Sequence, residues 1–208
     1  MPRHIKFGIM ILCLVFSGGV AYFYNLQQQV RHLTELAVEV PQPYLTEELV
    51  FEETAPKKIV TLFFPSTVVE GLLEEEEFNI HSAEEVSVEA KQIIAGLIEG
   101  SHSGFGQVLP PETKLREIYM MESGLMVVDL TREASVLHPG GVTGEVSSIY
   151  SVVNSLTLNL PVVRQVKILV EGVETETLAG HVDLRRPLGQ DLSMTVRLQV
   201  EDTTSVSE

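Results

Sequence analysis

The residues whose types could support chemistry are chiefly the histidines. The chain contains six of them, at positions 4, 32, 81, 102, 138 and 181, and no two lie within five residues, whereas a metal site normally needs closer spacing or a fold that gathers its ligands. The sharpest candidate is His181 with Asp183, because alternate residues of a strand share one face and could meet a ligand together, joined by Asp129 or His138. We therefore name His181 and Asp183 as candidate ligand-site residues and expect no catalytic, cofactor-binding or metal site. The alternative is a hydrogen-bonded pair that ties a turn to the sheet.

Two glycine-rich stretches and one acidic run carry weaker patterns. Residues 100–104 resemble a nucleophile elbow, but His102 stands where the serine would be and no strand leads in, which excludes a hydrolase of that type. Residues 140–144 precede a predicted helix that could hold a phosphate, but Glu145 would repel it, so a loop capped by Thr143 is expected. The glutamates at 74–77 lack the spacing of a calcium loop and predict a solvated surface.

Composition limits the classes of function. The chain has 208 residues and a formal net charge of −15, which argues against a nucleic-acid surface. Its hydrophobic content of 44% and mean hydropathy of +0.18 exclude an intrinsically disordered chain. The single cysteine, Cys13, can form no intramolecular disulfide and excludes a cysteine-rich zinc module. Tryptophan is absent, which argues against an aromatic surface that binds sugars or single-stranded nucleic acid.

The N-terminal part predicts a membrane anchor. Residues 7–24 form an almost unbroken apolar run, which as a helix would span about 27 Å, close to the thickness of a bilayer core. Arg3 and Lys6 precede the run, and Arg31 is the first cation after it. The positive-inside rule then leaves residues 1–6 as a cytoplasmic tail, 7–24 as a signal anchor, and the rest outside the cytoplasm, in the periplasm or at the cell exterior.

Three alternatives to the anchor differ in what happens to this segment. A cleaved signal peptide would share the positive start and could be cut near Ala21. A lipoprotein would use Cys13, but Leu12 is bulky where a small residue is expected. A buried core helix is disfavoured because the segment is apolar on all sides.

Residues 25–58 predict a stalk helix followed by an acidic linker. Apolar residues recur at alternating steps of four and three at positions 26, 30, 33, 37 and 40, so a short coiled coil that joins two copies is an alternative to a solvated stalk. Pro41 and Pro43 end the helix. The acidic residues up to position 58 favour an extended linker.

Residues 59–190 predict one folded domain. The β-branched and aromatic run 59–64, stopped by Pro65, predicts a central strand, and residues near Phe78 could add a short edge strand next to the glutamate run. Ser82 and Glu85 fit a capping box for a helix that ends at Gly100. The remaining predicted elements are two hairpin strands at 114–121 and 125–130, a helix marked by apolar residues at 146–160, and strands at 165–170 and 178–184.

The order β-(β)-α-β-β-α-β predicts the architecture. Two helices with single apolar stripes can both bury those stripes on one sheet face. We therefore expect an α+β fold, a two-layer sandwich with a mainly antiparallel sheet and two helices on one face. Residues 191–208 predict a loose tail, in which 194–198 could be one more strand.

Five stretches of this domain resemble the GerMN family. They are KIVTLFFP at 58–65, LIEG at 97–100, VVDLT at 127–131, SIYSVVNSLT at 148–157 and VKILVEGVETETLAGHVDL at 166–184. The last stretch is the most specific, with its Glu-Gly turn and its closing Leu-Ala-Gly-His-x-Asp-Leu segment. The resemblance covers about residues 58–188.

The resemblance implies a role in sporulation or germination, or in membrane-anchored proteins and lipoproteins elsewhere. It also implies a fold similar to the ring-building domains of envelope assemblies, which pack side by side, and no catalytic residues. This chain departs from the sporulation protein of the family by holding one such domain instead of two and by its plain signal anchor.

We therefore expect a non-catalytic, single-pass protein of the cell membrane without cofactors. Its domain would mediate protein–protein assembly in the cell envelope, with an envelope protein or a second copy as partner and no nucleic acid. The alternative is an envelope ligand-binding module for cell-wall fragments or a small anion.

Overall fold

A computed structural model describes residues 56–196 of the chain and, apart from them, Phe16. Within that described part, no helix is both long enough and apolar enough to cross a membrane. Apart from Phe16, the predicted anchor lies outside the described residues. So do the stalk, most of the linker and the tail beyond position 196, and these remain predictions.

The described residues form an α+β fold with two sheets, as the sequence predicts for the class but not for the number of sheets. The strands are β1 Lys57–Pro65, β2 Leu73–His81, β3 Leu115–Met120, β4 Leu125–Leu130, β5 Gln165–Val170, β6 Val173–Glu174 and β7 Leu188–Gly189. The helices are α1 Val86–Glu99, α2 Glu133–Val136 and α3 Val142–Asn159, and a 3-10 turn covers Leu192–Met194.

The first sheet is the antiparallel hairpin β1–β2, paired from Lys57 with His81 to Pro65 with Leu73. The apolar residues of its inner face lie in the core against the buried stripe of α1. Gly96 of α1 allows the close approach, because a Cβ there would lie 2.9 Å from Cδ1 of Leu62. The edge strand offered near Phe78 is present as β2 and is longer than expected, because it includes the glutamates at 74–77. The solvated surface predicted for these glutamates is wrong for Glu76, which is buried.

The second sheet has the order β3-β4-β5-β6, with β7 also paired to β5. Strands β4 and β5 are parallel, because α3 connects them as a crossover, whereas the other pairings are antiparallel. The inner face carries Ile118, Val128 and Ile168, which share one core with both long helices. The predicted single sheet is therefore wrong, because the β1–β2 hairpin does not pair with these strands.

The helix α3 covers the free edge of β1 with polar side chains. The Ser155 hydroxyl accepts the N–H of Phe63 at 3.0 Å. Asn159 accepts the N–H of Thr61 at 2.9 Å and donates to its carbonyl at 2.6 Å. These bonds replace the missing ladder partner of an edge strand, whose main-chain groups need partners when they are buried.

The structure differs from three local expectations. Residues 178–184 form no strand, because side chains rather than a neighbouring strand bind their backbone, as described below. Residues 192–194 form a 3-10 turn and Thr195 makes one bridge to Leu73, so the possible strand at 194–198 does not begin at Met194, and positions 197–198 lie outside the described residues. The caps also differ: α1 has Glu85 and α3 has Gly141 at the N-cap, in place of Ser82 and Thr143.

Candidate functional site

A cleft of about 630 Å³ lies where the β1–β2 turn meets the first turn of α3. The turn approaches the helix closely, because a Cβ on Gly71, whose φ is +83°, would lie 3.3 Å from the Thr143 methyl group. On another side the Gly106 N–H donates to the Pro65 carbonyl at 2.7 Å. The loop that begins at Gln107 and the loop around His138 complete the walls.

His138 and Ser148 form a hydrogen-bonded pair in this cleft. The His138 Nδ1 atom accepts the N–H of Gly140 at 3.0 Å, so a neutral imidazole carries its proton on Nε2, which lies 3.0 Å from the Ser148 hydroxyl oxygen. Burial lowers the pKa of His138, and the charge of Glu145 offsets this only in part. Neutral His138 in this tautomer is a donor to Ser148, so it cannot act as the base that would activate the hydroxyl.

The start of α3 presents unpaired hydrogen-bond donors to the cleft. The first intrahelical bond runs from the Glu145 N–H to the Gly141 carbonyl, so the N–H groups of Thr143 and Gly144 precede the helical ladder. Ser147, on the next turn, lines the cleft and is only 3% exposed. No hydrogen bond within residues 56–196 engages its hydroxyl, which is not among the fully buried unpaired groups and can therefore bind water. Both kinds of group suit a ligand that offers oxygen acceptors.

The charge of the cleft is negative. Glu70 and Glu112 line it and are exposed, and none of the described residues that line it is a lysine or arginine. His138 adds no positive charge where its pKa is lowered. The cleft therefore favours a cationic or neutral group over a free anion.

Glu145, also in the first turn of α3, does not line the cleft and instead holds the 178–181 loop. Its side chain is fully buried. One carboxylate oxygen accepts the N–H groups of Leu178 and Ala179, each at 2.8 Å, and the other accepts the N–H of His181 at 2.7 Å. The ring Nδ1 of His181 lies 3.1 Å from the second oxygen. We call this arrangement the Glu145 clasp.

The clasp keeps Glu145 ionised. Burial raises the pKa of its carboxyl group, but the N–H groups that point at it, including that of Val182, lower the pKa more. The pKa of Glu145 therefore lies below its ordinary value. The predicted strand at 178–184 fails for the same reason, because these N–H groups are bound by a carboxylate instead of a ladder.

The two residues of the predicted ligand-site pair bind different partners. His181 contacts Glu145, whereas Asp183 binds the Arg185 guanidinium at 2.9 and 3.0 Å, which lowers the pKa of Asp183 to about 2. Neither His181 nor Asp183 lines the cleft. Asp129 binds Arg116 at 2.6 Å and does not join the pair. A ligand role for His181 and Asp183 remains a prediction.

The other strongly buried carboxylates are also bound to loop backbone. Glu76 accepts the N–H of His102 at 2.9 Å, Glu89 accepts that of Ala83 at 3.2 Å, and Asp129 accepts that of Gly172 at 2.8 Å. Within the described part of the chain, no group of three or more metal-ligating side chains is present. These carboxylates hold loops in place, which is a structural use of a buried charge.

A second, shallower groove of about 480 Å³ crosses the outer face of the larger sheet. Tyr119, Val127 and Lys167 are cross-strand neighbours there. Lys167 is buried and donates to the carbonyls of Leu184 and Arg185 at 3.0 and 2.8 Å, which binds the 184–187 segment over the sheet. Tyr119 remains about half exposed.

The sequence draws attention to His138 and the stretch 140–144 near the cleft and to His181 in the clasp, but it predicts neither arrangement. From the sequence, Glu145 is expected only to repel a phosphate, whereas in the structure its carboxylate binds the N–H groups of a neighbouring loop. The cleft is assembled from loops distant in sequence, so no local pattern predicts it.

Solved structures that are similar to this chain include the following three. A candidate lipoprotein of Clostridium perfringens is 22% identical, with 67% of this chain and 92% of that chain covered and a TM-score of 0.46. The tandem GerMN domains of the sporulation protein GerM from Bacillus subtilis are 20% identical, with a TM-score of 0.49. That match covers 66% of this chain and 46% of the tandem protein, so the present chain spans about half of its length. The first GerMN domain of GerM alone is 19% identical, with 65% and 96% covered and a TM-score of 0.46.

The family assignment comes from the sequence profile. The profile of the Germane family, described as sporulation and spore germination, matches residues 61–176. The chain therefore belongs to the Germane family, and the GerMN resemblance is confirmed. No curated protein matches the chain significantly.

Proposed function

We propose that this protein is a membrane-anchored, extracytoplasmic member of the family whose GerMN-like domain mediates protein–protein assembly in the cell envelope without catalysis. Membership of the sporulation and germination family supports an envelope role. The apolar run at 7–24 and the cations before it support the anchor and its orientation.

The observation that carries the assembly role is the exposure of large apolar side chains on two surfaces. Tyr119 and Met121 are about half exposed beside the outer groove, and Val68 and Leu137 are exposed beside the cleft. Grouped apolar side chains at the surface are typical of sites that bind another protein, whereas scattered ones carry no such meaning.

A non-catalytic role is supported by the way the polar groups are used. The clasp carboxylate of Glu145 is occupied by several N–H groups, and the His138–Ser148 pair has the wrong tautomer for a base and nucleophile. A hydrolase would instead be recognised by substrate turnover that is lost when one such residue is substituted.

Photo-crosslinking of the full chain in its own membranes tests the proposal. A photoreactive residue is placed in turn at Tyr119, at Leu137 and, as a control, at the exposed Glu84. We expect a discrete homo- or hetero-oligomer from at least one apolar position and none from Glu84. If no position gives an adduct while the variants are folded and in the membrane, the assembly role is wrong.

The retained anchor has its own test, which is N-terminal sequencing of the protein from the membrane fraction. The uncleaved start at Met1, or at Pro2 after removal of the initiator, is expected. A new terminus near Ala21 would show a cleaved signal peptide, and a modified Cys13 at the terminus would show a lipoprotein.

A second candidate function is the binding of a cell-wall fragment or a small anion, which the cleft and the unpaired Ser147 hydroxyl favour. The negative charge at the rim of the cleft disfavours a free anion, so a neutral sugar of the cell wall is the remaining candidate ligand. Titration of the full chain with a defined disaccharide–peptide wall fragment tests this candidate. Binding that Ser147→Ala weakens would support it, and absence of binding would remove it.

A further inference from the structure

We propose, as an extension of the assembly role, that the cleft at the start of α3 binds an extended peptide segment of a partner protein. That segment would carry aliphatic residues next to a lysine or arginine. Three independent features of the cleft lead to this partner: its apolar rim, its unpaired donors and its charge.

The apolar rim consists of exposed aliphatic residues on three neighbouring segments, which are Val68, Val69, Val136, Leu137 and Val142. Leu137 lines the cleft itself, and Val142 precedes the lining residue Thr143. The contact of Gly71 with Thr143 brings the β1–β2 turn, and with it Val68 and Val69, to the same place. Val68 is 86% exposed. Aliphatic side chains of a bound segment would cover these residues, which water now contacts.

The unpaired donors match a peptide main chain. The hydroxyl of Ser147 and the N–H groups of Thr143 and Gly144 belong to residues that line the cleft, and none of the three groups has a partner in the helix. Water can reach these donors in the free protein, and the carbonyl groups of an extended segment would replace it as acceptors. Sugars also offer acceptors, but the aliphatic rim fits side chains better than hydroxyl groups.

The charge of the cleft selects the side chain next to the aliphatic residues. Glu70 and Glu112 line the cleft, and no lysine or arginine is present among its described lining residues. A basic side chain in the segment would be attracted, and an acidic one repelled. The outer groove, in contrast, contains Lys167, Arg185 and Glu174, so its charges do not favour either sign.

Defined peptides provide the test on the full chain in nanodiscs. The probes are two fluorescent, end-blocked pentapeptides that differ at the central residue, with leucines flanking either a lysine or a glutamate. Binding is followed by fluorescence anisotropy at low and at physiological salt. We expect saturable binding of the lysine peptide, and at least tenfold weaker binding of the glutamate peptide.

Variants locate the binding. Val68→Asp should abolish or strongly weaken it, and the matched control Val173→Asp, which changes an exposed valine of β6, should not. The pair Glu70→Gln with Glu112→Gln should weaken the lysine peptide by about two- to tenfold at low salt and less at high salt, because exposed ion pairs contribute little each. Ser147→Ala should weaken both peptides alike.

The outcomes separate this inference from the proposed function. Equal binding of both peptides, or loss of binding with Val173→Asp but not with Val68→Asp, would overturn the cleft as the basic-peptide site. If crosslinks form only from Tyr119 and the peptides do not bind, the assembly role stands and the present inference fails. If a wall fragment binds through Ser147 and neither peptide does, the inference also fails and the second candidate function gains support.

Discussion

The Glu145 clasp predicts that one carboxylate stabilises the whole 178–181 loop. Replacing Glu145 with alanine removes the acceptors of three backbone N–H groups. The N–H of Leu178 is buried, whereas those of Ala179 and His181 are only partly buried and can bind water. The buried donor without a partner costs about 1–3 kcal/mol and each of the two water-exchanged bonds about 1 kcal/mol, so we expect Glu145→Ala to lower the free energy of unfolding by about 3–5 kcal/mol.

Glu145→Gln distinguishes the two oxygens. The glutamine carbonyl can still accept the N–H groups of Leu178 and Ala179, but its NH2 group would then face the N–H of His181, donor to donor. We expect a smaller loss, about 1–3 kcal/mol, with increased hydrogen exchange confined to the loop near His181. Pulse proteolysis of the full chain in a urea series measures the folded fraction, and hydrogen exchange reports the loop.

The pH dependence supplies the third part of this prediction. Because the folded-state pKa of Glu145 lies below the ordinary value of 4.5, its stabilising contribution is complete above about pH 4.5 and is lost as the pH falls through the folded-state pKa. Glu145→Gln should therefore flatten the acid side of the stability profile. Glu84→Gln, at an exposed site, is the control. Equal effects of the two substitutions, on stability and on the acid slope, would refute the reasoning.

Three further predictions concern single positions elsewhere in the domain. Ser155→Ala leaves the buried β1 amide that it binds without an acceptor and should lower the free energy of unfolding by about 1–3 kcal/mol; an unchanged urea midpoint would contradict this. Gly172→Ala and Gly104→Ala both force a side chain onto a positive φ, at a cost of about 1 kcal/mol, but a Cβ on Gly172 would also crowd a guanidinium at 3.1 Å. The Gly172 variant should be the less stable of the two, and equal urea midpoints would show that the contact does not matter. Lys167→Met removes the donor that binds the 184–187 segment, so trypsin should cleave after Arg185 faster in folded protein; an unchanged cleavage rate would mean that other contacts hold the segment.

The elements that depend on local patterns were predictable from the sequence. The strand β5 runs from Gln165 to Val170 as its alternation predicts, and α1 buries the predicted stripe around Ile93 and Leu97. Apolar residues that recur every two residues in a strand, or every 3.6 in a helix, can be recognised from the sequence alone. The hairpin of β3 and β4 was also predictable, because the short connection with Gly124, at φ +86°, selects it.

The pairing of strands and the loops was not predictable in the same way. The local sequence near Leu125 and Gln165 does not predict that their strands pair in parallel, because that arrangement depends on how α3 packs. The alternating apolar residues around Leu178 resemble a strand until one knows that a glutamate 33 positions away binds their N–H groups. Long-range side-chain-to-backbone bonds of this kind leave no periodic signal.

The two edges of the β1–β2 hairpin are closed to further strands by different means. Helix side chains occupy the edge of β1, an obstacle that acid or salt does not remove while the fold is intact. The strand β2 instead carries the exposed Glu75 and Glu77, whose repulsion of an approaching acidic strand weakens when the carboxylates are protonated or screened. Any fibril or sheet-swapped aggregate that grows from this hairpin must therefore start at β2, and acidic or high-salt storage conditions would promote it.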